Sequence, residues 1–292
     1  MSKNIMITGA SSGFGRLTTE TLLKNGHNVV ASMRGVNGKN KSAADELKAA
    51  GAHIVEIDVT DEDSVNKGVQ QAIDLMGNLD VVINNAGLGV MGLQESFTVD
   101  DWKKLFEVNV FGLQRVNRAV MPHMRKNNSG LIVFVSSLLG RITLPFYGPY
   151  NASKWAVEAM AENYRSELSA FGVDVCIVEP GGYPTNFLSS LLTPSDKSRD
   201  QSYGPMAQAP QAAMENFAQV LKSNPEQNPQ DVADTMAKLV NTAAGDRPFR
   251  SIVDKMGMGA SLVEYNGHLE QIMSGLFSSF GMADMLKLKT SK

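Results

Sequence analysis

Short apolar runs rich in β-branched residues recur along the chain: NIMIT (4–8), HNVVASM (27–33), HIVEI (53–57), LDVVIN (79–84), LIVFVS (131–136) and VDVCIV (173–178). Their hydrophobic character is nearly continuous rather than alternating, as it is in strands buried on both faces of a parallel sheet. Between them lie helical stretches at 14–25, about 41–50, 62–76, 99–127 and 150–171. This βαβα alternation predicts a doubly wound α/β fold, with right-handed crossovers and helices on both faces of a parallel sheet. A helix over about 230–243 and a last strand, RSIVD (250–254), bring the expected sheet to about seven strands.

The pattern loosens after Pro180. Pro184, Pro194, Pro205, Pro210 and Pro225 punctuate residues 184–229 among Ser, Gln, Ala and Met, with no clear periodicity. A segment this long is not a plain connection, and it is expected to be a lid or substrate loop. The tail, 255–292, carries Met256, Met258, Met273, Met282 and Met285. Either it packs flexibly against the body or it lines an apolar pocket, since methionine adapts its shape to both. The whole chain, 1–292, is expected to be a single domain with a C-terminal extension.

Composition narrows the class. With 43% hydrophobic and 20% charged residues, the chain reads as a soluble globular protein with a sizeable core. A net charge of −3 gives no support for nucleic-acid binding. No apolar run approaches the ~20 residues a membrane helix needs, and MSKNIMITGA turns into a strand pattern without the apolar segment of a signal peptide. Cys176 is the only cysteine, so no intrachain disulfide forms and a reducing, cytoplasmic setting is expected. Within VDVCIV it reads as a buried strand thiol.

TGASSGFG (8–15) follows the first strand and opens the first helix. Gly9, Gly13 and Gly15 let the backbone turn tightly and approach a phosphate closely. Ser11, Ser12 and Phe14 complete the turn, and the helix end beyond it presents free N–H groups and a positive dipole end to a pyrophosphate. A purely structural strand–helix turn has the same composition. Two further strand ends change the balance: Asp58, followed by Val59, after HIVEI, and Asn85-Ala86-Gly87 after LDVVIN. Each alone is ordinary turn or cap chemistry. Together they lie at the carboxyl edge of one sheet, where open α/β sheets bind ligands.

On these motifs the chain resembles the short-chain dehydrogenase/reductase family, in its short single-domain branch, over residues 4–190. The match runs through TGASSGFG, Asp58, NNAG, Asn109 in NVFG, the Ser-Ser end of the fifth strand, Tyr150-x-x-x-Lys154 and PGGYPT at 180–185. The resemblance implies a Rossmann fold, a nicotinamide cofactor and hydride transfer to or from a carbonyl or alcohol.

Tyr150 and Lys154 stand one helical turn apart, so both reach one site. Their reference pKa values are about 10 and about 10.4, but a neighbouring ammonium stabilises a phenolate and lowers the phenol. A tyrosine poised nearer neutrality can exchange a proton with a carbonyl or alcohol oxygen. Ser137 is expected to hold the same oxygen; Ser136 points to the opposite face. The resemblance further implies that Lys154 bonds the nicotinamide ribose, that Asn109 completes a proton relay, and that Pro180, Gly181 and Thr185 form the nicotinamide-side loop.

Cofactor choice is read at the end of the second strand. Met33 stands where NAD-preferring members carry aspartate, and Arg34 follows it with a fork suited to a 2′-phosphate. NADP is therefore expected, although Ser12 occupies a turn position where many NADP-preferring relatives carry a second basic residue. His27, His53, His123 and His268 are scattered without ligand spacing, so no metal is expected. Tyr183, Phe187, Leu188, Leu191 and Leu192 suggest an apolar lid and a hydrophobic ketone, aldehyde or alcohol, and the resemblance implies that it is steroid- or retinol-like. The competing reading is a non-catalytic NADP-binding sensor on the same fold, and the intact Tyr150 and Lys154 weigh against it. Helices 99–127 and 150–171 form subunit contacts in many relatives, which implies a homodimer or homotetramer.

Overall fold

The computed structural model describes residues 1–187 and 190–290. The expected strands form as β1 (Asn4–Thr8), β2 (Asn28–Met33), β3 (His53–Glu56), β4 (Val81–Asn84), β5 (Gly130–Val135), β6 (Val173–Pro180) and β7 (Arg250–Val253). All pair in parallel, in the order β3-β2-β1-β4-β5-β6-β7. The chain direction across the sheet reverses between β1 and β4, which places a switch-point crevice at their carboxyl ends.

Neighbouring residues of a strand serve opposite cores, as the strand's two-residue period requires. Met6, Val30, Val82, Ile132 and Ile177 pack into one cluster with residues of α3 (Glu62–Met76), α5 (Gly112–Asn127) and α6 (Gly148–Leu168). Ile5, Ile7, Val29, Ile83, Val133 and Cys176 face the other way, against α1 (Gly13–Lys24) and α8 (Gln230–Asn241). The helix α2 (Lys41–Ala49) closes a smaller cluster over Ala31 and Met33.

Three stretches depart from the expected pattern or add to it. The stretch 99–127 is not one helix: α4 (Val99–Phe106) passes through a π-helical turn (Glu107–Phe111) before α5 begins. An extra residue in that turn is tolerated because the Asn109 side chain ties it to the backbone of Leu88, and because Gly112 allows close approach to Val59. The proline-rich stretch is not irregular throughout. A run of 3₁₀ turns, Lys197–Gln208, kinks at Gly204 and leads into α7 (Ala209–Ser223). Pro210 opens that helix rather than breaking one, since a first-turn N–H has no acceptor within the helix and its loss costs nothing. The tail forms α9 (Ala260–Ser279) and a 3₁₀ turn, Ala283–Leu286. No described helix is long and apolar enough to cross a membrane.

Candidate active site

The carboxyl edge of the sheet opens into a cleft of about 780 Å³, lined from Gly9 at one end to Phe217 and Met258 at the other. Its nucleotide end is stitched from backbone. The Thr8 hydroxyl accepts from the backbone N–H groups of Asn85 (3.0 Å) and Ala86 (3.1 Å), while Asn85 Nδ2 donates to Thr8 O (2.9 Å). The first glycine of the turn, Gly9, has φ +67 and sits so close to Ala86 that a Cβ would stand 2.9 Å from its Cα. At Gly15 a Cβ would meet Asn85 Nδ2 and Gly9 O at 2.5 Å. No side chain caps the start of α1 at Ser12, and Ser11, Ser12, Gly13 and Phe14 line the cleft there. Thr185 approaches Gly13 from the far side, within 3.9 Å of where its Cβ would be. The glycine-rich, backbone-lined end of the cleft offers the close approach and the helix N-terminus that a dinucleotide needs.

Arg34, at the cleft mouth, is exposed, and its carbonyl accepts from Asn40 Nδ2 at 2.7 Å. Lys39 lines the same mouth, although no motif in the sequence marks it; its distance along the chain from the end of β2 hides it. Its stem folds over Gly35, with Cγ 3.4 Å from a Cβ built there. Asp58 accepts from Thr60 N (3.0 Å) and Thr60 Oγ1 (2.8 Å). Partial burial pushes its carboxyl up, but the Thr60 bonds and the charges of Arg34 and Lys39 carry it below the usual carboxylate range. Val59 lines the cleft beside it, and its carbonyl accepts from Arg115.

The chemical end brings Asn109, Ser137, Tyr150 and Lys154 together, all buried. Pro149 starts α6 at the position where a proline costs nothing, which sets Tyr150 at the helix head. Lys154 Nζ donates to Val135 O at 2.9 Å and stands 5.6 Å from the centre of the Tyr150 ring. Asn109, in the π-turn, donates to Leu88 O (2.9 Å) and Ser153 Oγ (3.1 Å) and accepts from Leu88 N (2.8 Å). Ser137 Oγ accepts from Leu139 N at 3.1 Å and contacts Pro180 O at 3.5 Å. Gly181 donates its N–H to Val253 O at 2.8 Å, which fixes the loop that follows β6. Ser136 lies beside Glu158, where a Cβ on Gly140 would meet both.

The expected pKa shift at Tyr150 is reversed. Burial pushes the phenol up to about 12, against a hydrogen bond with Ser137 and with neighbouring Tyr147 adding to the rise, while the Lys154 ammonium lies over the ring. It is Lys154 that moves toward neutrality: burial lowers it to about 8, opposed by the charge of Glu158 one turn behind. Behind Glu158 lies a buried ionic network. Arg141 Nη2 meets Glu158 at 3.0 Å, Arg250 Nε meets Glu179 at 3.4 Å, and Asn266 of α9 donates to Glu179 Oε2 at 2.8 Å.

The lid residues divide. Phe187 covers Tyr150, with ring centres 5.7 Å apart, whereas Tyr183 is buried edge-on against Phe14. Leu192 pairs with the loop after β4: it donates its N–H to Gly89 O (2.9 Å) and its carbonyl accepts from Met91 N (3.0 Å), so it anchors the lid rather than lining the cleft. The Leu191 side chain packs against Gly89, and Leu188 lies outside the described residues. Beyond that anchor a polar latch holds the next segment to the start of α4. Ser195 donates to Asp101 (2.8 Å), Arg199 pairs with Glu95 (3.1 Å), and Tyr203 donates to Glu95 (2.9 Å). Met258 reaches the cleft and the other four tail methionines do not line it. Among the described residues no cluster of His, Cys, Asp and Glu could hold a metal ion.

Comparison with known proteins agrees with this geometry. The family model for short chain dehydrogenase matches residues 3–195. A 3-ketodihydrosphingosine reductase of Bacteroides thetaiotaomicron is 38% identical over 63% of this chain, which spans 65% of that protein's length. Oxidoreductase BOA17 of Botryotinia fuckeliana is 32% identical over 94% of this chain and 95% of its own. A short chain dehydrogenase/reductase from Burkholderia phymatum, solved in complex with NAD, superposes with a TM-score of 0.73 at 26% identity, covering 93% of this chain and 95% of that one. The chain belongs to the short-chain dehydrogenase/reductase family, the NAD(P)-dependent oxidoreductases that act on CH–OH groups.

Proposed function

We propose that this protein is an NADP-dependent carbonyl reductase or alcohol dehydrogenase for a hydrophobic substrate, with Tyr150 as the acid and base. The observation that carries the proposal is the burial of Tyr150, Ser137 and Lys154 on one wall of a cleft whose other end is the glycine turn. A bound nicotinamide supplies the hydride. Tyr150, held protonated by its burial, gives its proton to the carbonyl oxygen in reduction, and Ser137 positions that oxygen. The Lys154 ammonium offsets the negative charge left on Tyr150 as the phenolate forms, and bonds the ribose. Asn109, fixed in the π-turn, holds the backbone of Leu88 for a water-linked relay; Asn85, Ala86 and Gly87 wall the ribose and nicotinamide, with Pro180, Gly181 and Thr185 opposite.

Gly9, Ser11, Ser12, Gly13, Phe14 and Gly15 cradle the pyrophosphate, and Asp58 and Val59 flank the adenine. Arg34 supports a preference for the 2′-phosphate, and Lys39 supplies the second cation that Ser12 does not. The apolar chamber under Phe187 and Phe217 supports a hydrophobic substrate, as does the likeness to a 3-ketodihydrosphingosine reductase. The free, buried Cys176 fits a cytoplasmic setting. We take residues 1–292 as one Rossmann-type unit, with 184–229 as the lid and 255–292 as an extension, assembling as a homodimer or homotetramer. Incubation with NADPH and a panel of aliphatic and aromatic ketones and aldehydes, followed at the nicotinamide absorbance band, tests the proposal. Consumption of NADPH with apolar carbonyls is expected; tight cofactor binding with no turnover across the panel would favour a sensor.

A further inference from the structure

Among the described residues, two that are not glycine have positive φ, Asn128 (47°) and Phe146 (71°). Asn128 has an ordinary explanation: it caps the end of α5, and asparagine visits the left-handed region readily. Phe146 has none. It ends no helix, and a phenylalanine in that region is strained where a glycine would rest without cost. Its carbonyl is held by Gly92 N at 3.0 Å, and the chain on either side is fixed by Leu144 O, which accepts from Asn151 Nδ2 at 2.9 Å, and by Tyr147 O, which accepts from Asn151 N at 2.8 Å. The backbone is therefore set by its neighbours, whatever side chain residue 146 carries.

The ring does not serve the core either. Its neighbour Tyr147 packs into the cluster around Tyr150, while Phe146 is a member of none of the four hydrophobic clusters. It is half-buried and lines the cleft, between Pro145 and Tyr147 and three residues before Pro149 and the head of α6. A position that favours glycine here carries a large apolar ring that lines the cleft and belongs to no core cluster, which leaves the ring available to a ligand.

We infer that Phe146 determines substrate specificity, its ring forming the wall that receives the apolar body of a bulky ketone beside Tyr150. This rests on the carbonyl-reductase reading above and narrows it to substrates with a broad apolar group next to the reacting carbon. The side chain contributes contact area, so its removal is expected to cost affinity for such a ketone and to leave the nucleotide end untouched.

Phe146→Gly tests it, because glycine keeps the positive φ and relieves the strain. Binding of a naphthyl ketone with polarity-sensitive emission is titrated against wild type and variant in the presence of NADP, together with NADPH affinity and the thermal midpoint. The expected result is a loss of at least about tenfold in ketone affinity, the size of effect a buried aromatic wall supports. NADPH affinity should stay within twofold and the midpoint should not fall. In turnover, the preference for the naphthyl ketone over butanone should drop through KM rather than kcat, and Phe146→Tyr should restore it. Ketone affinity within twofold of wild type in the glycine variant overturns the inference, as does a lowered midpoint with affinity retained, or a wild type that does not bind the ketone. If the wild type binds the ketone and the variant loses it, yet neither turns it over with NADPH, the specificity wall stands and the reductase reading falls.

Discussion

The two ends of the cleft are built from different materials. At the nucleotide end, position is set by backbone atoms and small side chains: Thr8 clamps the loop after β4, and Gly9 and Gly15 leave no room for a Cβ. At the substrate end the cover is held by side chains on a 3₁₀ segment, through pairs such as Arg199–Glu95 that remain about half exposed. Exposed pairs of this kind contribute about 0–1 kcal/mol each. The first end is rigid because its contacts are buried and made by backbone. The second is held by contacts that compete with water, so opening it would cost little. Under the proposed function, a grip for the dinucleotide is joined to a cover free to vary with the substrate.

The largest test of this division is Tyr150→Phe, which removes one hydroxyl at the junction. Turnover should fall by about 10²–10⁴-fold, the usual worth of general acid–base catalysis, with NADPH affinity within a few-fold in a fluorescence titration. Residual activity above about a tenth would remove Tyr150 from the chemistry.

Lys154→Met should reduce both rate and cofactor affinity, since its ammonium serves both ends. It also carries a pH signature. With the folded-state ammonium at about 8, below its ordinary 10.5, the unfolded chain holds a proton that the folded one has lost between those values. Stability should therefore rise with pH across that window, and the rise should be absent from the methionine variant in denaturant titrations. By the same shift, kcat/KM for carbonyl reduction should decline above about pH 8 as the charge is lost.

Next in size is Arg34→Ala. A charge-assisted bond of about 1.5–3 kcal/mol to the 2′-phosphate predicts about 10- to 150-fold weaker NADPH binding, with NADH little changed. Equal weakening of both cofactors would make Arg34 a structural residue. The smallest effect is expected from Asp101→Ala, which releases Ser195 and removes half of the capping box at the start of α4. Stability should fall by about 1 kcal/mol. Limited proteolysis should cut 195–208 sooner, and KM for apolar substrates should rise while NADPH affinity holds.

Much of the nucleotide end is legible in the sequence. Parallel strands buried on both faces leave a continuous apolar signature, so the seven strands, the glycine turn, Asp58 and the Tyr150–Lys154 spacing can be read directly. The features that stay hidden depend on contacts between distant segments. Nothing local marks the π-turn at 107–111, because it is stabilised by Asn109 reaching back to Leu88. Pro210 reads as a breaker until its place at the first turn of α7 is known. Lys39 joins Arg34 only through the fold of its stem over Gly35. The direction of the Tyr150 shift is hidden for a similar reason: residue spacing gives the face a side chain occupies, not the depth at which burial outweighs a neighbouring charge.

The link between Asn266 and Glu179 sets a boundary for anyone reshaping this chain. Glu179 is fully buried at the end of β6, just before Pro180, and one of its oxygens is satisfied by a residue nearly ninety positions later. Trimming the chain ahead of α9 would leave that oxygen without its donor directly behind the loop that follows β6. The helix α9 therefore has to travel with the sheet edge whose buried carboxylate it satisfies.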